Sequence, residues 1–226
     1  KAVPDWSCDE DQLESLLRSK SLMERKSALD ELAQCSSDIA VPILQKLATE
    51  PDFLCRRIAI MGLGNHRTPE SLAVLKNCLE QEQDDNVLSE IANSLFEFGE
   101  VAVPLLQQLF EHNHNWLTRQ TIVSVLMESD RHDALLKVIR TGLQDETQTV
   151  KETTILALGK LLNGDFHQEA MELLAALTDA PDWRDRWRSA TALCLANDPK
   201  AKLLLAKLQR DPNHYVVAAA LEAGFM

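Results

Sequence analysis

The sequence has little from which to build turns. Its 226 residues include 7 Gly, 8 Pro, 6 Phe, 4 Trp and 1 Tyr, too few for an all-β sandwich with its frequent turns and aromatic strand positions. The glycines stand apart except Gly62 and Gly64, so the chain offers no phosphate-cradling loop, dinucleotide fingerprint or nucleophile elbow. Basic residues are scarce as well: 23 Lys and Arg against 35 Asp and Glu leave a net charge of −12 and a pI near 4.9. That sign speaks against a nucleic-acid partner or an anionic membrane surface. No stretch reaches the ~18 uninterrupted apolar residues of a spanning helix, and no membrane insertion is expected. The five cysteines, Cys8, Cys35, Cys55, Cys78 and Cys194, form no Cys-x-x-Cys pair; they read as thiols of a reducing, cytoplasmic compartment rather than as a disulfide framework or zinc site.

What is abundant is helix-forming. Leu, Ala, Glu, Gln, Lys and Arg fill a chain that is 45 % apolar and 26 % charged, a globular balance with the material for a core. A short segment recurs: a residue that is small or apolar in most copies, usually a base, two spacers, then a small residue. Its second positions fall at Arg25, Arg56, Ser89, Arg119, Lys151, Arg188 and Val217, giving spacings of 31, 33, 30, 32, 37 and 29. Self-similarity at such a period marks a repeat protein. Each unit reads as two amphipathic helices with a short polar break. In the second unit Thr68 is the expected N-cap and Pro69 the first helical residue of the second helix. Acidic or proline-containing links such as Glu50-Pro51-Asp52 and Ala180-Pro181-Asp182 separate the units. Ala28, Ala59, Ala92, Ala157 and Ala220 mark an inner face where helices can approach closely.

One hairpin cannot bury both of its apolar faces, so the units are expected to stack. The expectation is an all-α solenoid, read as a single domain over 1–226: an N-terminal cap over 1–20, six hairpins over 21–213 and a partial repeat over 214–226. The capping helix is placed at Asp9 to Arg18. The last residues leave an apolar C-terminal edge at which a further chain could associate. The basic residue of each segment reads first as a structural ladder, bonded to acids and carbonyls of an adjacent repeat.

Val150-Lys151-Glu152-Thr153-Thr154-Ile155-Leu156-Ala157-Leu158-Gly159, with Arg56 to Gly64 next, resembles the HEAT repeat in the short form found in phycobilisome bilin lyases and their relatives. That resemblance covers nearly the whole chain and implies the solenoid. It also implies, as one functional alternative, a lyase subunit or chromophore-handling factor with bilin as its cofactor. Other HEAT-like classes fit less well. The iron-dependent deoxyhypusine hydroxylases use repeated His-Glu dipeptides, absent here, and the alkylpurine DNA glycosylases need a basic face.

No residue set gathers an acid, a base and a nucleophile, so neither a catalytic site nor a cofactor site is expected. His112 and His114 are two imidazoles at close spacing without the further ligands of a metal site. The leading expectation is recognition of another protein on a concave face lined by second helices. The residues singled out are Trp183, Arg184, Trp187 and Arg188, with Trp116. Trp and Arg are enriched at binding hot spots, and i, i+4 spacing pairs each type on one helix face. The competing reading puts Trp187 in the core and pairs the arginines with Asp182, Asp185 and acids of the fifth repeat. The run Glu80 to Asp85 reads as a solvated ridge.

Overall fold

In a computed structural model the described residues are 9–222, and among them the regular structure is entirely helical. The chain divides into two compact units, 1–109 and 110–226. The first holds α1 (Glu10–Leu17), α2 (Leu22–Leu32), α3 (Ser37–Leu47), α4 (Phe53–Asn65), α5 (Pro69–Gln81), α6 (Asp85–Phe96), a 3-10 turn (Gly99–Ala102) and the start of α7 (Val103–His112). The second holds the end of α7, then α8 (Trp116–Glu128), α9 (His132–Gly142), α10 (Gln148–Leu161), α11 (His167–Leu177), α12 (Trp183–Leu193), α13 (Pro199–Leu208) and α14 (His214–Glu222). This is the expected order of an all-α solenoid: a capping helix, six hairpins beginning at α2, and the first helix of a seventh.

The period is set by the caps. First helices begin after Ser21, Asp52, Asp84, Asn115, Thr147, Asp182 and Asn213, at intervals of 31, 32, 31, 32, 35 and 31. Short polar side chains at this place accept a backbone N–H of the first turn. Asp84 takes those of Asn86 and Val87 at 2.9 and 3.3 Å, and Asp182 takes that of Arg184 at 2.9 Å. Thr68 caps α5 through the Ser71 amide at 3.2 Å, with Pro69 opening the helix. Only the fifth repeat is long, owing to its 162–166 turn.

Within each unit the first helices pack on one another, α2 on α4 and α4 on α6 in the first, and α8, α10, α12 and α14 in series in the second. Ala28, Ala59, Ala92, Ala157 and Ala220 are buried at these seams. Gly62 lets α4 approach α3 closely: a Cβ there would lie 2.5 Å from a methyl of Leu44. Gly99 has a different role, turning the chain after α6 at φ +63° in open space, a conformation that costs other residues a steric clash.

The arginine ladder is present in a sharper register than the segment alone suggests. The fourth residue of a first helix, four after its cap, is Arg25, Arg56, Leu88, Arg119, Lys151, Arg186 and Val217. Each of the four arginines donates to the carbonyl six residues earlier: Arg25 to Ser19, Arg56 to Glu50 at 3.0 Å, Arg119 to Asn113 at 2.7 Å, and Arg186 to Ala180 at 2.8 Å. Each also pairs with a carboxylate in the next link, respectively Asp52, Glu82, Asp145 and Asp211. Ser89 and Arg188 are therefore not ladder positions; Leu88 and Arg186 hold those places. Matching the small fifth residue of each segment shifts the register, because counted from the cap Ala92 lies one residue and Thr191 two residues beyond the place of Ala59. Nor is Glu80 to Asp85 merely a solvated ridge, since Glu82 is the acid that closes the second rung and Asp84 caps α6.

Among the cysteines, Cys55 is buried, while Cys78 and Cys194 are half-buried, and none of the three is in a disulfide. Cys35 is disulfide-bonded, which corrects the reading of every cysteine as a free thiol. Cys8 lies outside the described residues, as do the final four residues of the C-terminal edge. No helix among those described is long and apolar enough to cross a membrane.

Candidate functional site

Four of the five residues singled out come together on the outer side of α12. Pro181 ends the link from α11, and Asp182 caps the new helix. Trp183 and Trp187 then stand one turn apart, with ring centroids 5.9 Å apart and planes 28° from parallel. Tyr215 of α14 joins them at 5.4 Å from Trp183 and 6.3 Å from Trp187. The three rings form a nearly equilateral cluster. Separations of this size are the range in which offset aromatic pairs attract beyond their buried area.

The guanidinium groups lie against the rings. Arg188 sits 3.7 Å from the Trp187 centroid while donating to Glu152 of α10 at 2.9 Å. Arg184 stands 5.4 Å from the Trp183 centroid, and its nearest carboxylate, Asp182, is 3.7 Å away. Asp185 turns inward and accepts from Gln148 at 3.0 Å. The pairings with Asp182 and with a fifth-repeat acid are as expected, while Asp185 is occupied elsewhere. Trp187 is half-buried rather than core. The buried face of α12 belongs to Ser189, Ala190, Ala192 and Leu193, which face the neighbouring first helices; the angular step from these positions turns Trp187 outward.

Beneath this platform lies the last full rung of the ladder. Arg186 grips Asp211 in a fork, at 2.7 and 3.0 Å, and Asp211 in turn accepts the Asn213 amide at 2.9 Å. The Arg186 guanidinium holds the Asp211 carboxyl below the ordinary carboxylate range, and Asp211 raises Arg186 in return. The rung fixes the link before α14 and so the place of Tyr215.

Tyr215 escaped the sequence reading; it stands two residues after the Asn213 cap, the place that Arg184 holds one repeat earlier. Trp116 stands apart on α8, two hairpins earlier, at 46 % exposure. All five chosen residues sit on first helices, so they do not line a groove of second helices. In the first unit the second helices α3 and α5 flank a shallow cavity of about 210 Å³, lined by Gln45, Thr49, Ala73, Val74, Asn77 and Cys78. Near α8, His114 accepts from Arg119 through Nδ1 at 3.2 Å, which makes it part of the ladder. No group of three or more His, Cys, Asp or Glu that could hold a metal ion occurs among the described residues.

Residues 10–96 match the family of HEAT repeats. A search of the curated proteins found no match. Among solved structures the chain is similar to the Escherichia coli protein YibA, with 14 % identity, 99 % of this chain and 87 % of that one covered, and a TM-score of 0.68. It is similar also to the complex of CpcE and CpcF of phycocyanin lyase from Nostoc sp. PCC7120, at 18 % identity, coverages of 100 % and 99 %, and a TM-score of 0.50. A chain of the AP-3 complex in an intermediate open conformation aligns at 14 % identity over 95 % of this chain and 50 % of that one, with a TM-score of 0.58. At such identities the likeness is one of fold. Residues 10–96 thus match HEAT repeats, and capped hairpins at a period near 32, with an arginine rung at four of the first helices, continue the same architecture through the rest of the described residues.

Proposed function

We propose that the chain is a non-catalytic recognition scaffold that binds another protein through the aromatic and guanidinium platform of Trp183, Trp187, Tyr215, Arg184 and Arg188. The observation that carries this reading is a cluster of three part-exposed rings next to the half-buried Arg186–Asp211 ion pair, with Arg184 and Arg188 stacked on it. Large rings pre-set on rigid helices bind with little loss of side-chain freedom, which is why such residues dominate interface energetics. In this proposal the surface lies on first helices rather than in a groove of second helices. Trp116 is a separate, secondary contact in this proposal. The net charge of −12 favours a protein over a nucleic acid.

The test is capture and identification of a partner from the native cell, followed by titration of the purified partner against the wild-type chain and the double variant Trp183→Ala, Arg184→Ala. Weakening of about a hundredfold, with helical content unchanged, is expected for loss of one hot-spot pair. Equal affinity of the two proteins would refute it.

The fold likeness to the CpcE and CpcF pair supports a second reading, a lyase subunit or chromophore-handling factor with bilin as its ligand. Visible absorbance retained on the chain after incubation with free bilin and gel filtration is the expected result under that reading. Colourless protein would remove it.

A further inference from the structure

Charge is spread unevenly along the chain. Residues 183–213 hold 7 Lys and Arg against 3 Asp, whereas the remaining positions hold 16 bases against 32 acids. The surplus gathers on α13, where Pro199 to Arg210 includes Lys200, Lys202, Lys207 and Arg210 and no acid. The three nearby carboxylates are spent elsewhere. Asp185 accepts from Gln148, Asp211 is forked by Arg186, and Asp198 caps α13 through the Lys200 and Ala201 amides at 2.7 and 3.1 Å, with His167 at 3.3 Å. Of the four cations Lys207 has an acid partner, Asp179 at 2.6 Å, and that carboxylate is 72 % exposed. The side chains of Lys200, Lys202 and Arg210 form no ion pair among the described residues. Leu203, 73 % exposed, stands between Lys200 and Lys207 on one helix face, three residues after the first and four before the second. At the end of the helix a cavity of about 400 Å³ opens between Asp179, Lys207, Arg210 and Pro212.

We propose that this outer face of α13 docks a short acidic segment of a partner protein, with an apolar side chain of that segment on Leu203, carboxylates on either side of it, and one carboxylate in the cavity beside Arg210. The surface is separate from the aromatic platform of α12 and stands without it. Charge complementarity selects the occupant. Like charges three and four residues apart on a helix repel, and a chain with 12 more acids than bases has placed no carboxylate on this face to relieve them. Size and pattern then decide among polyanions. The helix is 10 residues long, about 15 Å. A nucleic-acid duplex or a bilayer extends far past it and brings phosphates against the acidic remainder of the chain, including Glu169 and Glu172 of the preceding second helix, α11. A segment of a few residues meets only the cations. Phosphates also leave Leu203 uncovered, and one exposed leucine is far from the broad apolar face of a membrane-bound helix. A second copy of this chain is a poorer fit, because in its acidic run from Glu80 to Asp85 the Glu82 carboxylate is held by Arg56 and that of Asp84 by the first amides of α6.

The experiment follows the backbone amides of 199–210 in the full chain by nitrogen-15 NMR. The probe is a short peptide with a central leucine and glutamates on both sides. Controls replace every glutamate by glutamine, or the leucine by serine, and an oligothymidylate and phosphatidylserine vesicles stand for the other polyanions. Saturable shifts centred on 199–210 are expected with the glutamate peptide. The triple variant Lys200→Gln, Lys202→Gln, Arg210→Gln should bind it about thirtyfold more weakly, about threefold for each exposed charge contact. Loss of the leucine should weaken binding about fivefold, the scale of a partly buried side chain. The Trp183→Ala, Arg184→Ala variant should bind the peptide as the wild type does. Silence at millimolar peptide, equal shifts with the glutamine peptide, tighter binding of the oligothymidylate or the vesicles, or a dimer that the triple variant dissolves would each overturn the proposal. The comparisons between probes use the wild-type chain and are independent of whether any variant folds.

Discussion

Replacing Arg56 by Ala tests the ladder directly. Arg56 forks onto Glu82, Nε to Oε2 at 2.8 Å and Nη2 to Oε1 at 3.0 Å, and its remaining nitrogen donates to the Glu50 and Pro51 carbonyls at 3.0 and 2.9 Å. The Glu82 side chain is only 9 % exposed, so the alanine variant strands a carboxylate that keeps just the Gln83 and Asp84 amides as donors. Removing one partner of a buried pair costs about 3 to 5 kcal/mol. Arg56 itself is one-fifth exposed, and water can reach the two carbonyls, which lowers the expectation to about 2 to 3 kcal/mol. Arg56→Lys keeps the charge but loses the fork, and about half that loss is expected. The internal control is Arg67→Ala. Arg67 meets Glu97 at 3.7 Å with both side chains about half exposed or more, and about 0.5 kcal/mol or less is at stake. Urea denaturation followed by circular dichroism reads all three, and both members of the rung belong to the unit 1–109. A loss for Arg56→Ala no larger than for Arg67→Ala would refute the account of the rung as an interlock between repeats.

The same rung has a pH signature. Burial pushes the Glu82 carboxyl up, but bonds from Arg56 and from the Asp84 and Gln83 amides outweigh it, and the net direction is below the ordinary value of 4.5. A carboxyl depressed in the native state adds stability that is complete above its unfolded value and fades as pH falls through the native one. Stability lost between neutral pH and acid should therefore be smaller in Arg56→Ala than in wild type, because much of that linkage is already gone. Parallel acid limbs in the two proteins would contradict this.

Further expectations concern single sites. Gly99→Ala should cost about 1 kcal/mol by denaturation, since nothing lies within 4 Å of the added Cβ and only the positive φ opposes it; Gly99→Asn should cost less. Burial, aided by the negative charge of Glu82, pushes the Cys78 thiol up to about 11. Alkylation of Cys78 by iodoacetamide in the native protein should accordingly be slow at pH 8 and rise only toward that value, which peptide mass mapping can follow. Trp187→Ala, at a half-exposed ring, should lower stability by about 1 to 2 kcal/mol, less than the about 3 to 5 kcal/mol of a buried tryptophan. A larger loss, measured by the same urea method, would mean that the ring is core after all.

Much of the architecture was legible because it is written in local chemistry. Cap residues, proline at Pro69, the small residues at the seams and the acidic links all act over a few positions, and a unit that must be stacked repeats them at a near-constant interval. Hence the hairpin order, the capping helix before Leu22 and the half repeat at α14 could be read before any coordinates. The basic residue could also be recognised as a ladder, since a guanidinium at an inter-helix seam needs acceptors and the links supply them.

Other decisions belonged to the tertiary structure. Whether Arg186 or Arg188 closes the last rung depends on which of two residues about half a turn apart points toward the following link, and that direction follows from the way α12 rolls against α10 and α14. The same roll turns Trp187 out of the core and Asp185 into it. Tyr215 enters the aromatic cluster only because the Arg186–Asp211 pair holds the link ahead of α14 in place. Sequence set the period and the chemistry of each position; packing between successive helices set which face each side chain occupies, because burial is settled by neighbours that lie a full repeat away along the chain.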